Sequence, residues 1–292
     1  MLIDVHVHLL PPRRLEGLLK WMHRYYAAHP VPVDVTLNQL IGDYSKLGAD
    51  YLFNFAYPIG PQETEGLIAF NADLRRRNPW IIPWGSLHPE NPGKARIVEL
   101  CIRDHNFLGF KFHPFIQRFD PLDPRMSEAY QALQDLGRPC VFHTGFEEFY
   151  GLSLPVSTME QIARSFPRMP VVFAHSLFPE FGDAFRMLER YDNVWLEMTN
   201  VFGALWDDRY RVTKLEPQKK VLLEGIGAHS DRIMFGSDHP AGMGTLEEIY
   251  RTLDGLDFAL TVKENLLGET ARRFVERFKP GFFSRVPAAP RA

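Results

Sequence analysis

Ile3-Asp4-Val5-His6-Val7-His8 is a short alternating run that ends on two histidines two residues apart, and it breaks into Leu9-Leu10-Pro11-Pro12. Side chains two apart on a strand point the same way, so His6 and His8 share one face of a first strand. The same pattern recurs seven more times: Asp50–Tyr57, Ile81–His88, Leu108–His113, Pro139–Thr144, Val171–Ser176, Val194–Thr199 and Ile233–Asp238. Between the runs lie helix-like stretches. Ala95, Val98 and Ile102 fall at helical apolar spacing, as do Met126, Tyr130 and Leu133. Ser157 with Glu160, Thr245 with Glu248 and Thr261 with Glu264 read as capping boxes. Strands alternating with helices imply a parallel sheet, and eight such units fit an α/β fold of the closed (β/α)8 TIM-barrel type. The competing doubly wound sheet would carry a glycine-rich phosphate turn after its first strand, where this chain has two leucines and two prolines.

The whole chain has 292 residues, 45% of them apolar and 24% charged, which is globular usage. It is read as one barrel domain over 1–279, with a long insertion at 9–49 after the first strand and a tail at 280–292. A second long connection, Asn200 to Lys220, follows the seventh strand; both excursions lie on the side of a barrel that builds active sites. Net charge is −3, and no basic block extends beyond Arg75-Arg76-Arg77, which argues against a nucleic-acid partner. Two cysteines give no disulfide framework and no CxxC zinc spacing. With no signal-peptide-like start and no run of about 18 apolar residues, the expectation is a soluble cytoplasmic protein without a membrane partner. A homodimer is an open option, dimers being the commonest assembly of soluble proteins.

The chemistry should gather where the runs end. His6 and His8 share the C-terminal rim with His113, His143, His175 and Asp238, and Lys111 faces the way His113 does. Any one of these histidines alone reads best as a packed side chain. Several strands contributing to one rim need a cation or extensive hydrogen bonding to offset desolvation. Three histidines and an aspartate suit zinc or another borderline divalent ion with an open water position. Such an ion lowers the pKa of water towards about 7, and Asp238 is placed to shuttle the proton. His175 could orient the water, stabilise an oxyanion or bind a second metal. Lys111 has three readings: a cation for a substrate carboxylate, a carbamate bridging two metals, or a structural ion pair. Lys111 and His113 are taken as substrate contacts. His88, Glu197, Glu147, Glu148 and Tyr150 each allow a structural reading beside a pocket reading, while Cys140 and His239 should face away from the centre.

These residues resemble the amidohydrolase superfamily, and more closely its amidohydrolase-related branch, which includes aminocarboxymuconate-semialdehyde decarboxylase. The resemblance rests on Ile3–His8, Gly109-Phe110-Lys111-Phe112-His113-Pro114, His143, Ala174-His175, Gly236-Ser237-Asp238-His239-Pro240 and the segment Glu264–Arg272. It implies a divalent ion on His6, His8, His143 and Asp238, with His175 as the catalytic histidine. The chain departs from the branch in places: Ser176-Leu177-Phe178-Pro179 follows His175 where the decarboxylases have a glycine-rich turn, and for their carboxylate-binding arginine only Arg13 and Arg14 stand as candidates. The expected function is a metal-dependent hydrolase of a small amide, lactone or ester acting through metal-activated water. The alternative is a metal-dependent, non-oxidative decarboxylase of a small unsaturated or aromatic acid. A barrel that only binds a metabolite is disfavoured, because buried histidines without a task are costly to keep.

Overall fold

All eight expected strands form, as Ile3–Val7 (β1), Tyr51–Phe55 (β2), Ile81–Trp84 (β3), Phe110–Phe112 (β4), Cys140–His143 (β5), Val171–Ala174 (β6), Val194–Glu197 (β7) and Ile233–Met234 (β8). The computed structural model describes residues 1–290. Every ladder is parallel, in the orders β1-β2-β3 and β4-β5-β6-β7-β8. The two sheets meet at two seams. Between β3 and β4, Gly85 N donates to Gly109 O (2.9 Å) and Lys111 N to Gly85 O (2.8 Å). Between β8 and β1, Asp238 N donates to His6 O (2.8 Å) and His8 N to His239 O (2.9 Å). These bonds join the ends of the sheets and give the ring of a (β/α)8 TIM barrel.

The strands are shorter than the apolar runs. The last residues of two runs leave the ladder and turn: His175 and Ser176, with Leu177 after them, have φ of 61°, 51° and 56°, and Asp238 has φ of 62°. A non-glycine residue in that region costs of the order of 1–3 kcal/mol and persists only where neighbours hold it. Here they do. Ser176 Oγ donates to Glu197 O (2.8 Å), and Leu177 N donates to Thr144 Oγ1 (3.1 Å). In the barrel interior Val5, Phe53, Phe55, Trp84, Val141, Val172 and Met234 pack together beneath the rim. The β1–β2 register is irregular between Asp4 and Val7, so Val5 serves this core while His6 lies against the Phe55 ring at 4.7 Å.

The Thr245–Glu248 capping box is present, and Thr36–Gln39 forms another. The boxes expected at Ser157 and Thr261 do not form, because those helices start at Val156 and Leu260, behind Pro155 and Ala259. Each hydroxyl thus sits one position inside the helix, and Glu160 instead accepts from Arg190 (2.7 Å) and Tyr191 (2.8 Å). The 9–49 segment holds two helices, Pro12–Tyr25 and Leu37–Leu47. Of the segment 280–292, residues 291–292 lie outside the described residues; Phe282 is buried against Tyr51, and Ala289 N donates to Asp50 O (2.9 Å). No described helix is long and apolar enough to cross a membrane.

Gly236 lies at the closing seam. A Cβ there would stand 2.6 Å from His6 N and 2.9 Å from Thr199 Oγ1, too close for either to remain in place. Gly236→Ala is expected to lower unfolding free energy by about 1–3 kcal/mol in a denaturant titration. A change under about 0.5 kcal/mol would contradict this tight closure.

Candidate metal centre

Three acceptors determine how the imidazoles are protonated. His6 Nδ1 lies 2.5 Å from Glu197 Oε2, His8 Nδ1 is 2.8 Å from Phe55 O, and His175 Nδ1 is 2.8 Å from Thr199 O. A carbonyl only accepts, so the Nδ1 of His8 and His175 must carry hydrogen. Burial, Lys111 and the neighbouring histidines hold His6 well below the ordinary imidazole range, so it is neutral. Its proton therefore sits on Nδ1, facing Glu197. The Nε2 atoms of His6, His8 and His175 then carry lone pairs. His175 Nε2 faces His143 Nδ1 at 3.2 Å, so His143 donates there and its own Nε2 is bare. That Nε2 is buried and has no hydrogen-bond partner.

His6 Nε2 and His8 Nε2 approach Asp238 Oδ1 at 3.3 and 3.0 Å. A ligand atom from each of the three residues lies within 4.8 Å of the other two. Lone pairs of two imidazoles aimed at one carboxylate oxygen repel unless a cation sits among them. The donor set, its burial and the outward hydrogen bonds fixing each ring all fit a divalent ion. Burial works to raise the Asp238 pKa, and it is positive charge at the imidazole positions, the place a bound cation would take, that holds the carboxyl well below its ordinary range, ionised. Asn200 Nδ2 donates to the other oxygen, Oδ2, at 2.6 Å.

His143, expected as the fourth ligand, lies outside this three-residue group and reaches it through His175, whose ring centroid is 4.5 Å from its own. His113 stacks on His143 with ring centroids 3.7 Å apart, and His175 stands 5.4 Å from His6 by the same measure. Lys111 is fully buried; its Nζ lies 5.0 Å from the Phe55 ring centroid and has no hydrogen-bond partner. Burial lowers its pKa to about 8, against the pull of Glu197 and Asp238. Of the candidate arginines, Arg14 pairs with Glu63 (2.5 Å) and Tyr57 O (3.2 Å), and Arg13 is exposed. His88 accepts from Glu90 N at 3.3 Å and also lines a cavity over the rim, so both of its readings hold. His239 packs edge-on to Tyr44, off the cluster.

Above the cluster lies a cavity of about 1120 Å³ whose lining includes Trp21, Phe115, Arg118, Phe149 and Tyr150. None of the ligand candidates lines it. Phe115 and Tyr150 form the wall between, stacked 4.9 Å apart, and Tyr150 Oη is 3.4 Å from His113 Nε2. Trp21, from the insertion after β1, stacks on Tyr150 at 5.9 Å. Sequence reading did not find Asn200, which lies three residues past β7 and carries no periodic signal. Glu197 was visible only as an inward strand position with two meanings. Its contact with His6 decides between them: Glu197→Gln should weaken divalent-ion affinity by about 10–100-fold in a metal titration, and unchanged affinity would refute its part in fixing that ring.

A family model described as amidohydrolase matches residues 3–277. No curated protein matches the chain. Among solved structures, an uncharacterised TIM-barrel protein from Bordetella bronchiseptica is similar at 16% identity and a TM-score of 0.73, covering 94% of this chain and 99% of that one. A 5-carboxyvanillate decarboxylase from Novosphingobium aromaticivorans, with bound manganese, is similar at 15% identity and a TM-score of 0.68, over 94% and 97% of the two chains. A probable 2-pyrone-4,6-dicarboxylic acid hydrolase from Acinetobacter baumannii, with citric acid bound, follows at 12% identity and 0.63, over 94% and 98%. At these identities the likeness speaks to the fold, whereas the family match spans nearly the whole sequence and includes every residue of the cluster: the chain belongs to the amidohydrolase family.

Proposed function

We propose that this protein is a metal-dependent hydrolase of a small amide, lactone or ester, with His6, His8, His143 and Asp238 as the ligands. The observation that carries this reading is the state of Asp238: an ionised, buried carboxylate with one oxygen among imidazole lone pairs and the other held by Asn200. A divalent ion bound there, with zinc the best match to nitrogen and carboxylate donors, supplies a Lewis acid and brings the pKa of water to roughly 7. Asp238 accepts the proton of the attacking water and passes it to the leaving group; Oδ2 keeps a lone pair for this beside the Asn200 bond. His175 is held between Thr199 O and His143 Nδ1; when His143 turns its Nδ1 away on binding the ion, the His175 Nε2 is released to orient the water. Lys111 and His113 form the substrate side, and among the described residues Lys111 is the one fully buried cation, available to a substrate carboxylate.

That same lysine favours a second reading, non-oxidative decarboxylation. A buried ammonium without a partner gains most from a carboxylate, and the manganese-containing relative is a decarboxylase. In this reading a protonated His175 delivers a proton to the carbon that loses carbon dioxide. Turnover of the metal-loaded enzyme on a panel of lactones, esters and amides, and on hydroxybenzoates and muconates with carbon dioxide measured, separates the two. Hydrolysis without carbon dioxide is expected; carbon dioxide release with no hydrolytic product would overturn the first reading. Asp238→Asn should lower kcat by about 10²–10⁴-fold with the fold intact by circular dichroism. Wild-type turnover in that variant would remove Asp238 from the proton path.

A further inference from the structure

Four cations converge on the opposite, N-terminal face of the barrel, far from the rim. Arg75 comes from the helix Thr64–Arg77, Arg138 from the approach to β5, and Lys279 and Arg285 from the segment that follows the last barrel helix, Thr270–Phe278. Arg75 Nη1 donates to Asn106 O (2.6 Å) and His105 O (3.1 Å), and Lys279 Nζ donates to the same Asn106 oxygen. Arg138 donates to Phe278 O and Arg285 to Pro280 O (2.6 Å), the carbonyls on either side of Lys279. Lys279 is 7% exposed.

Among the described residues, no carboxylate pairs with any of the four. The neighbouring Arg76 and Arg77 both pair with Asp73, so acids are not scarce along this helix. The nearby carboxylate of Glu276 is engaged by the backbone N–H groups of Gly281 (2.6 Å) and Phe283 (3.2 Å). Carbonyl dipoles offset part of the charge but supply no counter-ion. Each guanidinium bonds protein through one edge only, leaving further N–H donors in fork geometry. Like charges gathered in a partly desolvated place are costly without a compensating anion. Burial, and after it Arg75, Arg138 and Arg285, lower the Lys279 pKa to about 7. Guanidinium forks beside an ammonium match a tetrahedral oxyanion.

We propose that Arg75, Arg138, Lys279 and Arg285 form a binding site for a multiply charged oxyanion of the phosphate type, which fastens the C-terminal segment to the N-terminal face of the barrel. The free ion and a phosphate ester share this chemistry. The site is independent of the metal centre and of the proposed reaction.

Isothermal titration of the full-length protein with inorganic phosphate, at constant ionic strength, tests it. One phosphate per chain is expected at this face, with a Tm raised by ~2–4 °C at about ten times Kd, beyond what sodium chloride gives. Arg285→Gln, at an exposed position that should not disturb folding, and Arg75→Gln should each weaken that binding at least tenfold. A wild-type response equal to that in sodium chloride would overturn the proposal. So would phosphate binding of unchanged strength in both variants, which would place the ion elsewhere, such as at the rim. If binding is confirmed, a phosphate monoester compared with the free ion tells which source the site prefers.

Discussion

Fixing the protons of the imidazole rings is the constraint on which the rest of the site depends. Glu197, Phe55 O and Thr199 O each engage an Nδ1, and through His175 the last of them also fixes His143. The consequence is a group of buried Nε2 lone pairs beside an ionised carboxylate. Lone pairs do not attract one another, and a dry interior gives them no water to turn to. A cation resolves the conflict, and the cost of burying these groups is the physical argument for its presence.

Backbone geometry serves the same end. Asp238 and His175 lie just beyond their strands, at positive φ, where the chain turns sharply enough to aim a side chain into the mouth. Such strain needs a rigid surround. At Asp238 it comes from the β8–β1 seam, where Asp4 Oδ1 accepts from Ser237 N (2.9 Å) and from His6 N (3.1 Å). One buried carboxylate thus ties together the two strands that carry three of the ligand candidates. Burial raises the pKa of this group to about 6, against its hydrogen bonds to Ser237 and His6. Gly236 adds the absence of a side chain where the strands approach most closely.

Much of this was legible in the sequence. Eight apolar runs broken by helical periodicity fix the strand count and the parallel arrangement, because both follow from short-range pattern. The rim residues followed from position, since a histidine or aspartate ending such a run lies at the C-terminal edge. Run length overestimated each strand's end, because positive φ at His175 and Asp238 leaves no mark in polarity. The second layer was harder. Asn200 meets Asp238 across 38 positions and Glu197 meets His6 across 191, contacts that no local pattern encodes. The wall of Phe115, Tyr150 and Trp21 depends in the same way on loops from different strands meeting above the barrel.

Metal content is the most direct test of the account. Elemental analysis of the purified protein should find about one divalent ion per chain, and His143→Ala should retain much less after dialysis while keeping the wild-type far-ultraviolet dichroism. An ion that stays bound in that variant would show that the bare Nε2 of His143 is not a ligand. A wild-type protein that holds no ion, and takes up none when offered zinc or manganese, would contradict the central claim that these lone pairs are arranged around a cation.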